Sequence, residues 1–179
     1  MTIISLILLG FVIWMVVIYN LLVQDKTRVL TAWSDIDVQL KRRHDLIPKL
    51  IDAVKQYASY ESATLAAITE LRTESEKMDK ISGKSKLESE LGAKMHALLA
   101  IAEDYPELKA SQSFLDLQYS LTEVEKYIQY ARRYYNGAVR NLNVRINSFP
   151  DMLVAKLFHY KPAQFFELTD LDERNVPEN

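Results

Sequence analysis

The first 24 residues contain no Asp, Glu, Lys or Arg, and from Ile3 to Val23 they are almost wholly apolar. As a helix this run reaches roughly 31 Å at about 1.5 Å per residue, enough to cross a bilayer's hydrocarbon core. A cleaved signal peptide needs a basic start, a shorter apolar run and a small-x-small cleavage site. None of these is present, so residues 1–24 are expected to be an uncleaved anchor. Lys26, Arg28, Lys41, Arg42 and Arg43 follow the run and no basic side chain precedes it. That asymmetry predicts a single-pass protein with its N-terminus outside and its larger part in the cytoplasm.

Beyond the anchor the pattern is helical throughout. Apolar residues fall at 33, 36, 40, 47, 50, 54, 57, 65, 68, 71 and 78, steps of three and four or their multiples. They predict one very long helix with a single stripe. Pro48 lies inside it and predicts a kink or a restart. Ser82-Gly-Lys-Ser85 reads as an inter-helix turn. It has the end of a phosphate-binding loop, but the glycine such a loop needs five residues earlier is Met78, and no strand precedes it. A shorter helix carries Leu87, Leu91, Met95, Leu98 and Ile101, and Asp104-Tyr-Pro106 ends it. Ser111 or Ser113 caps the next helix, where residues 114, 117, 121, 124, 128, 131, 135, 138 and 142 alternate steps of three and four. Four such heptads predict coiled-coil-like packing. Ser148-Phe-Pro150 stops that helix, a short one follows from Met152 to Phe158, and residues 167–179 read as a frayed acidic tail.

With only four glycines and five prolines, a turn-rich β fold is excluded. The expectation is an all-α protein: the anchor, then a long antiparallel bundle of three to four helices over residues 25–160, then a C-terminal segment, 161–179. The absence of cysteine removes disulfides, thiol nucleophiles and thiolate metal sites. Three histidines, none at a metal-binding spacing, leave no expected metal or cofactor site. A net charge of −2 argues against a nucleic-acid partner. No catalytic constellation emerges.

The residues singled out are candidates for interaction or for setting helix register. His44 falls where the stripe expects an apolar residue. It reads as a hydrogen-bonded histidine at a helix crossing, with a pH-sensing or binding role as the alternative. Asp37 and Lys41, four apart, face each other. Arg42, within Lys41-Arg42-Arg43, reads as part of a solvated face or an inter-subunit salt bridge. Glu61 lies on the stripe and needs a cationic partner, with Arg132, Arg133, Arg140 and Arg145 as candidates. Asn136, Asn141, Asn143 and Asn147 put many poor helix formers on one helix, which predicts hydrogen bonds between helices or a polar seam between subunits.

Several short motifs occur together in order: Tyr19-Asn20-Leu-Leu-Val23, Ala32-Trp33-Ser-Asp-Ile-Asp37 through Pro48, Asp104-Tyr-Pro-Glu-Leu-Lys-Ala110, Tyr135-Asn136, Ser148-Phe-Pro150, Ala155 with Phe158, and Phe165-Phe-Glu167. In these the chain resembles LemA family proteins, from Tyr19 to about Glu167. It departs from the family pattern at Lys49, usually Asn, and at Tyr60-Glu61, where His-Glu is common. The resemblance implies a bacterial inner-membrane protein with a cytoplasmic helical bundle and no agreed enzymatic activity. One branch resembles proteins needed to form magnetosome membranes, and some members are encoded near membrane zinc proteases. Two functions follow as expectations. The first is a self-associating scaffold or organiser at the membrane, with Phe158, Phe165 and Phe166 docking on a neighbour; Trp33 and Tyr135 join the candidates for interaction or for setting register. The alternative is an adaptor for a membrane protease or another membrane protein.

Overall fold

A computed structural model describes residues 2–167, and the expected acidic tail lies almost wholly outside the described residues. The described residues form six α-helices and two short 3₁₀ turns, with no strand among them. The protein is an all-α helical bundle. The helices are α1 (Thr2–Lys55), α2 (Ser62–Lys77), α3 (Ile81–Ile101), α4 (Pro106–Lys109), α5 (Gln112–Asn147) and α6 (Asp151–Leu157). The described residues divide into two compact units, residues 2–37 with 130–165, and residues 38–129 with 166 and 167.

The expected helix through Met78 is instead two helices. α1 ends at Lys55, and the chain turns through 56–58 and a 3₁₀ turn, Ser59–Glu61, before α2. Ala58 is fully buried and its N–H donates to Val54 O at 2.8 Å. Each helix resumes steps of three and four by itself, so a periodic pattern does not register a turn this short. Pro48, exposed on α1, does not end the helix, which continues to Lys55.

The next turn also lies earlier than expected. Only residues 78–80 separate α2 from α3, and Ser82 to Ser85 form the first turn of α3. Lys84 N–H already donates to Lys80 O at 2.9 Å. Gly83 sits against Met78: a β-carbon there would come within 2.7 Å of Met78 Sδ. That atom belongs to a flexible side chain that can move aside, and α2 and α3 form a helical hairpin. Pro106 opens α4, where a missing N–H costs nothing.

The second unit encloses the apolar core. Ile47, Leu50 and Val54 of α1 meet Leu65 and Ile68 of α2, Leu91, Met95 and Leu98 of α3, Leu108 of α4 and Phe114 and Leu121 of α5. In the first unit, the large apolar side chains from Ile3 to Val17 are exposed apart from half-buried Trp14 and Met15, whereas Ile18, Leu22, Val29, Ala32 and Ile36 are buried. The N-terminal part of α1 is long and apolar enough to cross a membrane.

The buried seam of α5 keeps the expected Phe114, Leu121, Val124, Ile128, Tyr135 and Leu142, but beyond Ile128 every second position moves by one: Arg132 and Val139 are buried in place of half-buried Ala131 and Ala138, and the seam runs on to Ile146. A straight helix drifts by about 20° per heptad against a strict seven-residue repeat, and the shift by one position absorbs that drift.

Candidate functional site

Glu88 lies on α3 one turn before Leu91, on the side of that helix that faces the core of the second unit. Its side chain is 1% exposed. Three side chains donate to its carboxylate: the guanidinium of Arg43, the hydroxyl of Ser75, and His44, whose Nε2 is 2.7 Å from Oε1. Glu88 ionised is an acceptor only, so His44 Nε2 carries the proton in this bond. Arg43 Nη2 also donates to the Glu88 backbone carbonyl at 3.0 Å, and Nη1 donates to Glu125 of α5 at 3.0 Å. Behind His44, Nδ1 is 3.7 Å from Glu76, which Arg72 holds at 3.1 Å. The cluster therefore ties α1, α2, α3 and α5 together.

Burial alone pushes the Glu88 carboxyl up. The His44 hydrogen bond, the charges of Arg43 and His44 and the Ser75 hydrogen bond outweigh it and bring it down to about 2. An acid or base for catalysis near neutral pH needs a pKa close to that pH. Glu88 is a fixed anion, suited to neutralising Arg43 rather than to moving protons.

Beside Arg43, an open cavity of about 240 Å³ is lined by Gly92, Met95, His96, Leu121 and Glu125 among others. Arg43 Nε is buried without a hydrogen-bond partner. The described residues contain no group of three or more His, Asp or Glu side chains placed to hold a metal ion.

The first unit holds a second ionic cluster. Arg145 Nε donates to the buried Asp25 at 2.6 Å and its Nη1 to Asp151 at 2.9 Å, while Arg28 donates to the other oxygen of Asp25 at 3.2 Å. The Asp25 hydrogen bond, against the effect of burial, raises the Arg145 guanidinium above its usual value. Nearby, Tyr135 is buried and its hydroxyl donates to Gln164 O at 2.8 Å. Asn143 binds the backbone of Ala163 twice, donating to its carbonyl at 2.9 Å and accepting from its N–H at 2.8 Å. The described end of the chain is thus fastened to α5.

The residues singled out from sequence are distributed between these settings. His44 enters the Glu88 cluster. Trp33, half-buried, meets Tyr135 with ring centroids 5.5 Å apart, and Phe158 packs at a tilt against Tyr19 with centroids 4.7 Å apart. Arg42 is exposed, donates to Gln39 at 3.2 Å and lies 3.6 Å from Glu123. Asp37, Pro48 and Phe165 are exposed and Asn136 is half-buried. Glu61 ends its 3₁₀ turn half-buried and forms no ion pair among the described residues. Of Lys41-Arg42-Arg43, Lys41 and Arg42 are exposed, whereas Arg43 is 3% exposed and ion-paired within the chain, not part of a solvated face.

Ser75, Glu88 and Glu125 were not singled out from sequence, and Arg43 was read only as part of a charged run. A signal was present. The α1 stripe has a gap between Leu40 and Ile47 filled by Arg43 and His44, and Glu88 lies three residues before Leu91 on the apolar phase of α3. A cation and an anion on the packing faces of two helices imply each other.

Over 88% of this chain and 72% of its own length, Protein LemA of Metamycoplasma hominis is 27% identical. Magnetosome protein MamQ 2 of Paramagnetospirillum magneticum is 23% identical over 88% of the chain and 68% of its own length. Magnetosome protein MamQ of Magnetospirillum gryphiswaldense is 23% identical over 89% and 68%. A sequence model of the LemA family matches residues 32–178. The chain carries the helical and membrane-associated features expected of such a protein, and it belongs to the LemA family.

Proposed function

We propose that this protein is a non-enzymatic scaffold, anchored in the bacterial inner membrane by the N-terminal part of α1, that organises the membrane by self-association. The observation that carries this reading is the outer side of α5. Opposite its buried seam, α5 leaves Tyr119, Tyr127, Tyr130 and Tyr134 exposed at 72%, 44%, 52% and 59%. Tyrosine is enriched at protein interfaces because its ring packs while its hydroxyl stays satisfied. The ionised groups of the two clusters are engaged in ion pairs that join helices, and Glu88 is a fixed anion. The relatives named as magnetosome proteins further support a role in organising a membrane. The helical domain lies in the cytoplasm in this reading, following the basic residues after the span.

Light scattering of the intact protein in mild detergent tests it. A uniform oligomer is expected, and Tyr119→Arg with Tyr127→Arg should reduce its mass. A monomer at all concentrations overturns self-association and favours the adaptor, whose partner crosslinking in cells would then identify.

A further inference from the structure

One side of the last turns of the apolar run is covered by protein. Ile18 and Leu22 are 4% and 0% exposed, and the Tyr19 ring packs at a tilt against Phe158, the residue that caps the C-terminal end of α6. Tyr19 lies four residues before Val23, where the apolar run ends, or about 6 Å inside it at 1.5 Å per residue. The end of α6 thus reaches a level that the anchor reading assigns to the membrane.

Thickness leads to the same level. The exposed stretch from Ile3 to Val17 covers only about 22 Å along the helix axis, against roughly 30 Å of hydrocarbon. The run matches the bilayer when the turns from Ile18 to Val23 are included, and Phe158 lies beside those turns.

The composition of α6 suits that position. Val154 and Ala155 are buried, at 2% and 0% exposure. Phe149, Leu153, Leu157 and Phe158 are exposed at 76%, 50%, 58% and 46%, and the first three follow one another at intervals of four. Lys156 and Lys161 flank them, both exposed. Asp151, the acid of α6, is engaged by Arg145 at 2.9 Å. Lys26 Nζ lies 5.7 Å from the centroid of the Tyr160 ring, at the same end of the bundle. An apolar line edged by lysines and tyrosines is the pattern of a segment lying in the headgroup region, its apolar side about 5–10 Å into the acyl boundary.

We infer that α6 docks on the bilayer: Phe149, Leu153, Leu157 and Phe158 enter the acyl boundary beside the anchor, and Lys156 and Lys161 meet anionic lipid phosphates. This inference rests on the reading of α1 as a membrane anchor. It makes α6 a second, peripheral contact that sets the tilt of the bundle against the membrane.

Because the chain has no cysteine, a single introduced thiol carries one environment-sensitive fluorophore. Leu9→Cys, Glu103→Cys, Leu153→Cys and Leu157→Cys in the full chain, reconstituted in phosphatidylcholine–phosphatidylglycerol vesicles, are read against spin-labelled lipids. The probes at 153 and 157 should lose emission to spin labels near the headgroup, the probe at 9 to labels deep in the acyl region, and the probe at 103 to neither. Quenching at 153 should weaken when phosphatidylglycerol is left out, and quenching independent of lipid charge overturns the part given to the lysines. Quenching at 9 without quenching at 153 and 157 overturns the docking of α6 and leaves the anchor standing. A blue-shifted but unquenched probe at 153 marks a protein contact and overturns it too. No quenching at 9 overturns the anchor, and the inference with it.

Discussion

His44 Nε2 lies 2.7 Å from Glu88 Oε1, with the two side chains 6% and 1% exposed. Arg43, the neighbour of His44 in the chain, reaches the same carboxylate. Two consecutive residues of α1 therefore meet one residue of α3, and removing its charge leaves the buried Arg43 to the partly exposed Glu125 at 3.0 Å. Glu88→Gln should destabilise the protein by about 3–5 kcal/mol, the usual cost of breaking a buried ion pair from one side. Replacing the cluster with apolar residues, Glu88→Leu with Arg43→Met and His44→Leu, should cost less than Glu88→Leu alone. Urea unfolding followed by helical circular dichroism measures both, and equal losses would show that the charges do not compensate one another.

The same carboxylate makes stability depend on acid. Its ordinary value of 4.5 falls to about 2 in the folded protein, so on acidification the unfolded chain takes up the proton first. The contribution is fully present above about pH 4.5 and is lost as pH falls toward 2, by about 3 kcal/mol in total. Urea midpoints at pH 6 and pH 3 should diverge more in the native protein than in Glu88→Gln. An equal divergence would move the effect to other carboxylates.

Asp25 and Arg28 make a contrasting pair in the first unit. The side chain of Asp25 is 5% exposed and accepts from Arg145, whereas Arg28 is 54% exposed. Asp25→Ala should cost about 1.5–3 kcal/mol for the lost charged hydrogen bonds. Arg28→Ala should cost under about 1 kcal/mol, as an exposed pair does. Thermal melts of the two variants rank them, and a larger shift for Arg28→Ala would contradict the structure.

His159 follows the C-cap of α6 at φ 56°, in the left-handed region. Tyr160 N–H donates to Ala155 O at 2.9 Å and His159 N–H to Lys156 O at 3.2 Å, the paired bonds of a Schellman motif whose left-handed residue is usually glycine. A side chain in this conformation costs roughly 1–2 kcal/mol, partly offset by the freedom glycine gains in the unfolded chain. His159→Gly should raise the melting temperature slightly or leave it unchanged, while His159→Val should lower it. A clear loss in His159→Gly would mean that the imidazole itself holds the turn.

Much of the architecture was legible in the residues because helices are local. Steps of three and four mark which side of a helix is buried, Asp104-Tyr-Pro106 and Ser148-Phe-Pro150 mark where helices end, and the charge-free run marks the stretch long and apolar enough to cross a membrane. Where the long stripe breaks was not legible, because residues 54, 57, 65 and 68 keep the same spacing on either side of a reversal. The drift of the α5 seam from Ala131 to Arg132 was hidden for a related reason. Alanine and the aliphatic stem of arginine both satisfy a packing position, and only the neighbouring helices decide between them.

Hydrophobic periodicity and helix termination act over a few residues, so the residues alone were enough to show an all-α fold with an apolar N-terminal run. Their order of motifs also identified the family. Which ionised side chains are buried was settled by packing between helices. Arg43 and Arg42 are adjacent and chemically alike, yet Arg43 is closed in against Glu88 and Glu125 while Arg42 lies in solvent. Desolvation and pairing depend on what approaches from residues 44 to 82 positions away, and that distance is crossed only when the helices pack.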